Sequence, residues 1–184
     1  MNSGKSTKTF LILTVLLASF FLGTLAWPAE KGGKDSMDFR LKIRAFEYGS
    51  KIPSKYTCEG EDVSPPIAWE DPPEGTESFV FIVDDPDAPS GTFTHWILWD
   101  IPKDKRFLEE GTQEGTPGRN DFGKIGYGGP CPPRGHGPHR YFFKLYAIDT
   151  PSLNLKKGSS RSNLEKAMKD HIIRETEYMG IYER

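Results

Sequence analysis

The amino-acid sequence predicts a mainly β protein, built on antiparallel sheet with one or two peripheral helices. Three observations carry that prediction. Phe39 to Phe46 alternates apolar and polar residues up to Ala45, as a strand with one wet face does. Phe79–Val83 and His95–Ile101 are continuous β-prone apolar runs, the pattern of strands covered on both faces. An aromatic run, Tyr141, Phe142, Phe143, Leu145 and Tyr146, follows a loop too rich in glycine and proline for regular structure. The strand–helix alternation that a parallel sheet needs is missing.

The elements follow in chain order. Lys5 and Lys8 precede an uncharged stretch from Phe10 to Ala26, the pattern of a secretory signal peptide over residues 1–26. The stretch is a little short of the ~20 residues of a membrane span. An uncleaved N-terminal anchor is the alternative. Residues 27–37 read as a flexible, polar lead-in to one domain over residues 38–184. Between Pro53 and Pro73 five prolines leave room only for a short strand, Ile67–Trp69. Residues 103–140 hold long irregular stretches, and loops of that length inside a domain are usually functional. Ser162-Asn-Leu-Glu165 has the form of a capping box, with Leu164, Ala167, Met168, His171 and Ile172 along one helical face. Glu175–Arg184 is expected to close the sheet as a terminal strand.

Charge and cysteine content narrow the function. Loss of Lys5 and Lys8 with the signal takes the formal charge from −2 to −4. A mildly acidic protein gains nothing electrostatically from nucleic acid, so DNA and RNA are disfavoured partners. The two cysteines, Cys58 and Cys131, belong to an exported chain and so to an oxidising compartment. Spacing alone leaves open whether they form a disulfide or remain two thiols.

Three polar segments sit beside the apolar strands. Asp84-Asp-Pro-Asp-Ala-Pro-Ser90 leaves the Phe79–Val83 run, and Pro86 limits the directions open to Asp85 and Asp87. His95 opens the next strand. Gly129-Pro-Cys-Pro-Pro-Arg-Gly-His-Gly-Pro-His-Arg-Tyr141 leads into the aromatic one. Taken singly, each also suits a plain structural role: a solvated turn, a core histidine, a shaped loop.

Together and in this order they resemble the phosphatidylethanolamine-binding protein family, most closely its bacterial and archaeal branch. Tyr56–Trp69 (YTCEGEDVSPPIAW) and the ending YMGIYER extend the resemblance over residues 38–184. It implies a large antiparallel sheet with a smaller one, and a small pocket for an anion such as the phosphate of a phospholipid headgroup. Carried onto matching positions, the pocket takes Asp85, Asp87, His95, Cys131, Pro132, His139 and Tyr141. Imidazole and phenol groups are suitable donors to phosphate oxygens, and Asp85 would orient a histidine and not touch the anion. His136 and Arg140 lie in the motif but are not expected to reach the ligand, and Arg140 is expected in a structural ion pair.

The resulting expectation is an exported, non-catalytic binding protein, with no cofactor and no metal, for a small anion or phospholipid headgroup. A protein partner stays unidentified and a homodimer stays open. Two alternatives stand beside it. One is a kinase- or protease-inhibitor-like regulator, an activity associated with relatives of this fold. The other is an Asp85/His95/His139 hydrolase or metal enzyme, with Ser90 or Cys131 as nucleophile. No G-x-S-x-G elbow supports the hydrolase.

Overall fold

A computed structural model describes the terminal Met1 and residues 38–184. The expected signal peptide and lead-in therefore lie outside the described residues. Among the described residues eight strands make two antiparallel sheets, accompanied by one α-helix. β1 (Arg40–Ile43), β2 (Ile67–Glu70) and β5 (Phe107–Leu108) form the small sheet in the order β1-β2-β5. The larger sheet runs β6 (Thr116–Pro117), β4 (Phe93–Pro102), β3 (Ser78–Asp85), β7 (His139–Ile148) and β8 (Ile172–Tyr182). The helix, α1 (Arg161–Met168), packs on the outer face of that sheet.

β3 shows why the apolar runs are continuous. Every residue of it is buried. Phe79, Phe81 and Val83 face the small sheet, in a core shared with Leu41, Trp69, Trp96 and Phe143. Val80 and Ile82 face the other way, against Ile97, Trp99, Leu164 and Met168 beneath α1. With both faces covered, the strand has no wet side on which a polar alternation could survive.

Several boundaries differ from the sequence expectation. β1 ends at Ile43, before the expected Phe46, because the chain turns at 44–50 and Phe46 folds onto Phe143 and Tyr178. The helix is capped by Ser160, whose hydroxyl accepts the Asn163 amide, and not by Ser162. Glu165 instead pairs with Arg161 one turn earlier at 2.7 Å. The helix also stops at Met168. His171 turns away to Asp149 at 2.7 Å, and Ile172 is half-exposed at the start of β8. Two short strands, β5 and β6, lie in the region that reads as irregular.

Candidate functional site

The strand pairing decides what meets at the end of the large sheet. Successive strand residues face opposite ways, so the adjacent Asp84 and Asp85 separate. Asp84 faces α1, where Arg161 and Lys144 bind it. Asp85 faces the inner side, where the β7 alternation places His139, Tyr141 and Phe143. On β4 alternation alone would send His95 to the α1 side with Ile97. The pairing jumps from Val83–Trp96 to Asp84–Thr94, and His95 becomes the extra residue of a β-bulge. Bulges re-aim side chains. This one turns His95 toward Asp85 and His139.

Asp85 is buried and both its oxygens are engaged. Oδ2 accepts from His139 Nδ1 at 2.7 Å, and Oδ1 accepts the Asp87 amide at 2.9 Å across Pro86. His139 Nε2 meets His136 Nδ1, also at 2.7 Å, so a buried carboxylate, a buried imidazole and an exposed imidazole form one hydrogen-bonded row. His95 donates its Nδ1–H to the carbonyls of Gly128 and Gly129 at 2.8 and 3.1 Å. Two acceptors on one nitrogen require that nitrogen to carry the proton. Burial pushes the His95 pKa below the ordinary histidine value, against the raising effect of the Gly128 carbonyl. Its Nε2 is left with a lone pair and no protein partner among the described residues. As a neutral ring, His95 therefore offers an acceptor where the sequence reading anticipates a donor.

These side chains edge a cavity of about 220 Å³. Its polar rim holds Asp85, Ser90, His95 and His139, while Phe93, Phe122, Pro132 and Pro133 make apolar walls. That volume suits a headgroup-sized ligand and falls below the ~300 Å³ at which drug-sized sites begin. Tyr141 sits behind the rim and not on it. Its ring packs 5.2 Å from that of His95, and its buried hydroxyl has no partner among the described residues. Burial, and secondarily the Asp85 carboxylate, push its pKa up, so the phenol stays protonated. Asp87 spends its carboxylate on Arg140, at 2.9 Å to Nε and 2.7 Å to Nη2. That guanidinium holds the Asp87 carboxyl down at about 2, and Arg140 makes the ion pair expected of it.

The wall carrying Cys131 and Pro132 is fixed from behind. Cys58 and Cys131 form a disulfide, which settles the pairing that sequence leaves open. The Cys58 amide donates to the Pro130 carbonyl at 3.2 Å, and the Gly129 amide to Asp62 Oδ1 at 2.6 Å. A Cβ at Gly129 would stand 2.4 Å from the Tyr56 carbonyl oxygen, so only glycine fits there. Arg184 Nε bonds the Pro132 carbonyl from the other side. Sequence reasoning misses Asp62 and Phe122, and sets His136 aside. Asp62 and Phe122 carry no local signal, because they act across the fold on Gly129 and on the His95 ring, whereas His136 lies three residues from its partner His139 in a loop broken by Pro138.

Among the described residues no three His, Cys, Asp or Glu side chains converge as metal ligands. Burial of His95 also predicts a stability signature. Its folded pKa lies below the unfolded value of ~6.5, so the unfolded chain binds the proton first and stability falls as pH drops through that range. The melting temperature is expected to fall from pH 7 to pH 5.5. In His95→Asn, which keeps a donor for Gly128, the slope should flatten; an unchanged slope would reject the assignment.

Two antiparallel sheets with a small cavity at one sheet end define a mainly β protein with a ligand-sized site. Comparison with known sequences and structures agrees. A family model described as phosphatidylethanolamine-binding protein matches residues 42–183. A UPF0098 protein of Pyrococcus horikoshii is 52% identical over 181 residues, covering 94% of this chain and 89% of its own. A UPF0098 protein of Aquifex aeolicus is 53% identical over 150 residues, 77% and 86% of the two chains. Among solved structures, a phosphatidylethanolamine-binding protein homologue of Chlamydia trachomatis superposes with a TM-score of 0.75 at 41% identity, over 79% of this chain and 97% of that one. YbcL of E. coli, described as a new member of the mammalian family, also gives 0.75, at 32% identity over 79% and 98%. The chain belongs to the phosphatidylethanolamine-binding protein family.

Proposed function

We propose that this chain is an exported, non-catalytic binding protein whose cavity takes a phosphate-type group, free or on a phospholipid headgroup. The observation that carries the reading is the buried Asp85–His139 pair at the rim of a cavity of headgroup size. Two features support the non-catalytic reading. Cys131 is tied in a disulfide and has no thiolate to offer. Ser90 lines the cavity but makes no hydrogen bond to His95 or His139 among the described residues. The disulfide supports an oxidising compartment, as does the sequence before residue 27.

Calorimetric titration of the mature protein with inorganic phosphate and phosphoethanolamine tests this. Saturable binding is expected, weakened at least tenfold in His139→Ala. Stoichiometric uptake of zinc with no response to either anion would sink the reading in favour of a metal site.

A further inference from the structure

We propose that the cavity selects a phosphoryl group that still carries a proton, a P–OH, over a phosphodiester that carries none. The inference rests on the reading of the cavity as a phosphate site and names the class of phosphate. It follows from the donors and acceptors on the rim. His95 Nδ1–H is held by two carbonyls, and in the neutral ring that burial favours, Nε2 is a bare lone pair on a side chain that lines the cavity. A fully ionised oxygen placed there would set one lone pair against another. A P–OH placed there donates to it.

The charge on the rim points the same way. The described lining residues include the Asp85 carboxylate and no lysine or arginine. The nearby Arg140 is paired with Asp87 and adds no free cation. A fully ionised, doubly charged monoester would face a carboxylate without a compensating cation, whereas the singly charged protonated monoester leaves an oxygen for the Ser90 hydroxyl and a proton for His95. The apolar walls, Phe93 and Phe122 across from Pro132 and Pro133, suit the carbon side of a monoester. A site built around a ligand hydroxyl rejects the analogue that lacks it, because its own polar group is then left unpaired.

Methyl phosphate and dimethyl phosphate form the test pair. At pH 6 about half of the monoester keeps its proton, since the second phosphate pKa is ~6. That protonated half differs from dimethyl phosphate in P–OH against P–OCH₃ at equal charge. Methyl phosphate is expected to bind the intact protein at least ~10-fold tighter by calorimetry. In His95→Phe, checked for folding by circular dichroism, that ratio should shrink to within ~3-fold. The wild-type comparison stands alone should the variant not fold. Short-chain phosphatidate and short-chain phosphatidylethanolamine, added as lipid arms, tell whether a lipid or a soluble monoester is the better source. Dimethyl phosphate or phosphatidylethanolamine binding as tightly as its monoester counterpart would overturn the proposal while leaving the phosphate reading intact. Binding of none of the four would overturn both.

Discussion

Cys58→Ser is expected to lower stability by about 4 kcal/mol and the melting temperature by roughly 10 °C. The disulfide closes a loop whose ends are 73 residues apart, and loop-closure entropy in the unfolded chain scales with that length. The native side adds to the effect. Pro130 to Pro133 belongs to no strand, so the wall is held by the bridge, the Cys58 amide and the Asp62 carboxylate on Gly129. Thermal denaturation with and without reductant measures the stability loss. Phosphate titration of the same variant then separates the two contributions. A loosened wall weakens binding even at temperatures where the variant is fully folded, whereas a purely unfolded-state effect leaves the affinity alone. A melting shift below about 3 °C would show that the bridge adds little to a wall already held by its neighbours.

The second large effect is expected at Asp84, on the opposite face of the same strand. Asp84→Ala should cost about 3 kcal/mol, the scale for removing one partner of a buried ion pair. The Asp84 side chain is 2% exposed, and it accepts from Arg161 Nη2 at 3.0 Å and from Lys144 at 3.2 Å. Arg161 also donates to Thr94 at 3.2 Å, so it clamps the first turn of α1 to both central strands. Without Asp84 that guanidinium keeps Glu165 on its Nε and a weak bond to Thr94, in a largely covered position. The double variant with Arg161→Ala should therefore lose about 1–2 kcal/mol less than the two single losses combined. Strict additivity in urea denaturation would mean that the two groups are energetically independent despite their contact.

Much of this architecture was legible in residue patterns. The runs that became β3, β4 and β7 announce themselves because both their faces are covered, and burial leaves a continuous apolar signature. The hinge points were less visible. Ser160, rather than Ser162, caps α1, since a cap depends on where the preceding chain arrives and not on the residue type alone. β5 and β6 have two residues each and exist because a neighbouring strand offers them hydrogen bonds. At the site, Asp85 and His139 could be read from motifs on neighbouring strands. The role of His95 could not. Its direction depends on a bulge, and its acceptor character on two carbonyls more than thirty residues away. Asp87 stands in the same motif as Asp85, yet Arg140 draws its carboxylate aside into an ion pair.

The opposed directions of Asp84 and Asp85 also constrain how such a chain can diverge. One residue inserted or deleted between Phe79 and Asp85 would exchange the two carboxylates, sending the helix clamp into the cavity and the His139 partner under α1. Substitution at these positions can be graded in effect, but a change of length cannot. Insertions and deletions are better tolerated where no face is assigned, as in the irregular stretches 103–104 and 112–114. Length variation among descendants of this sequence should collect there, while the exit of β3 keeps its count.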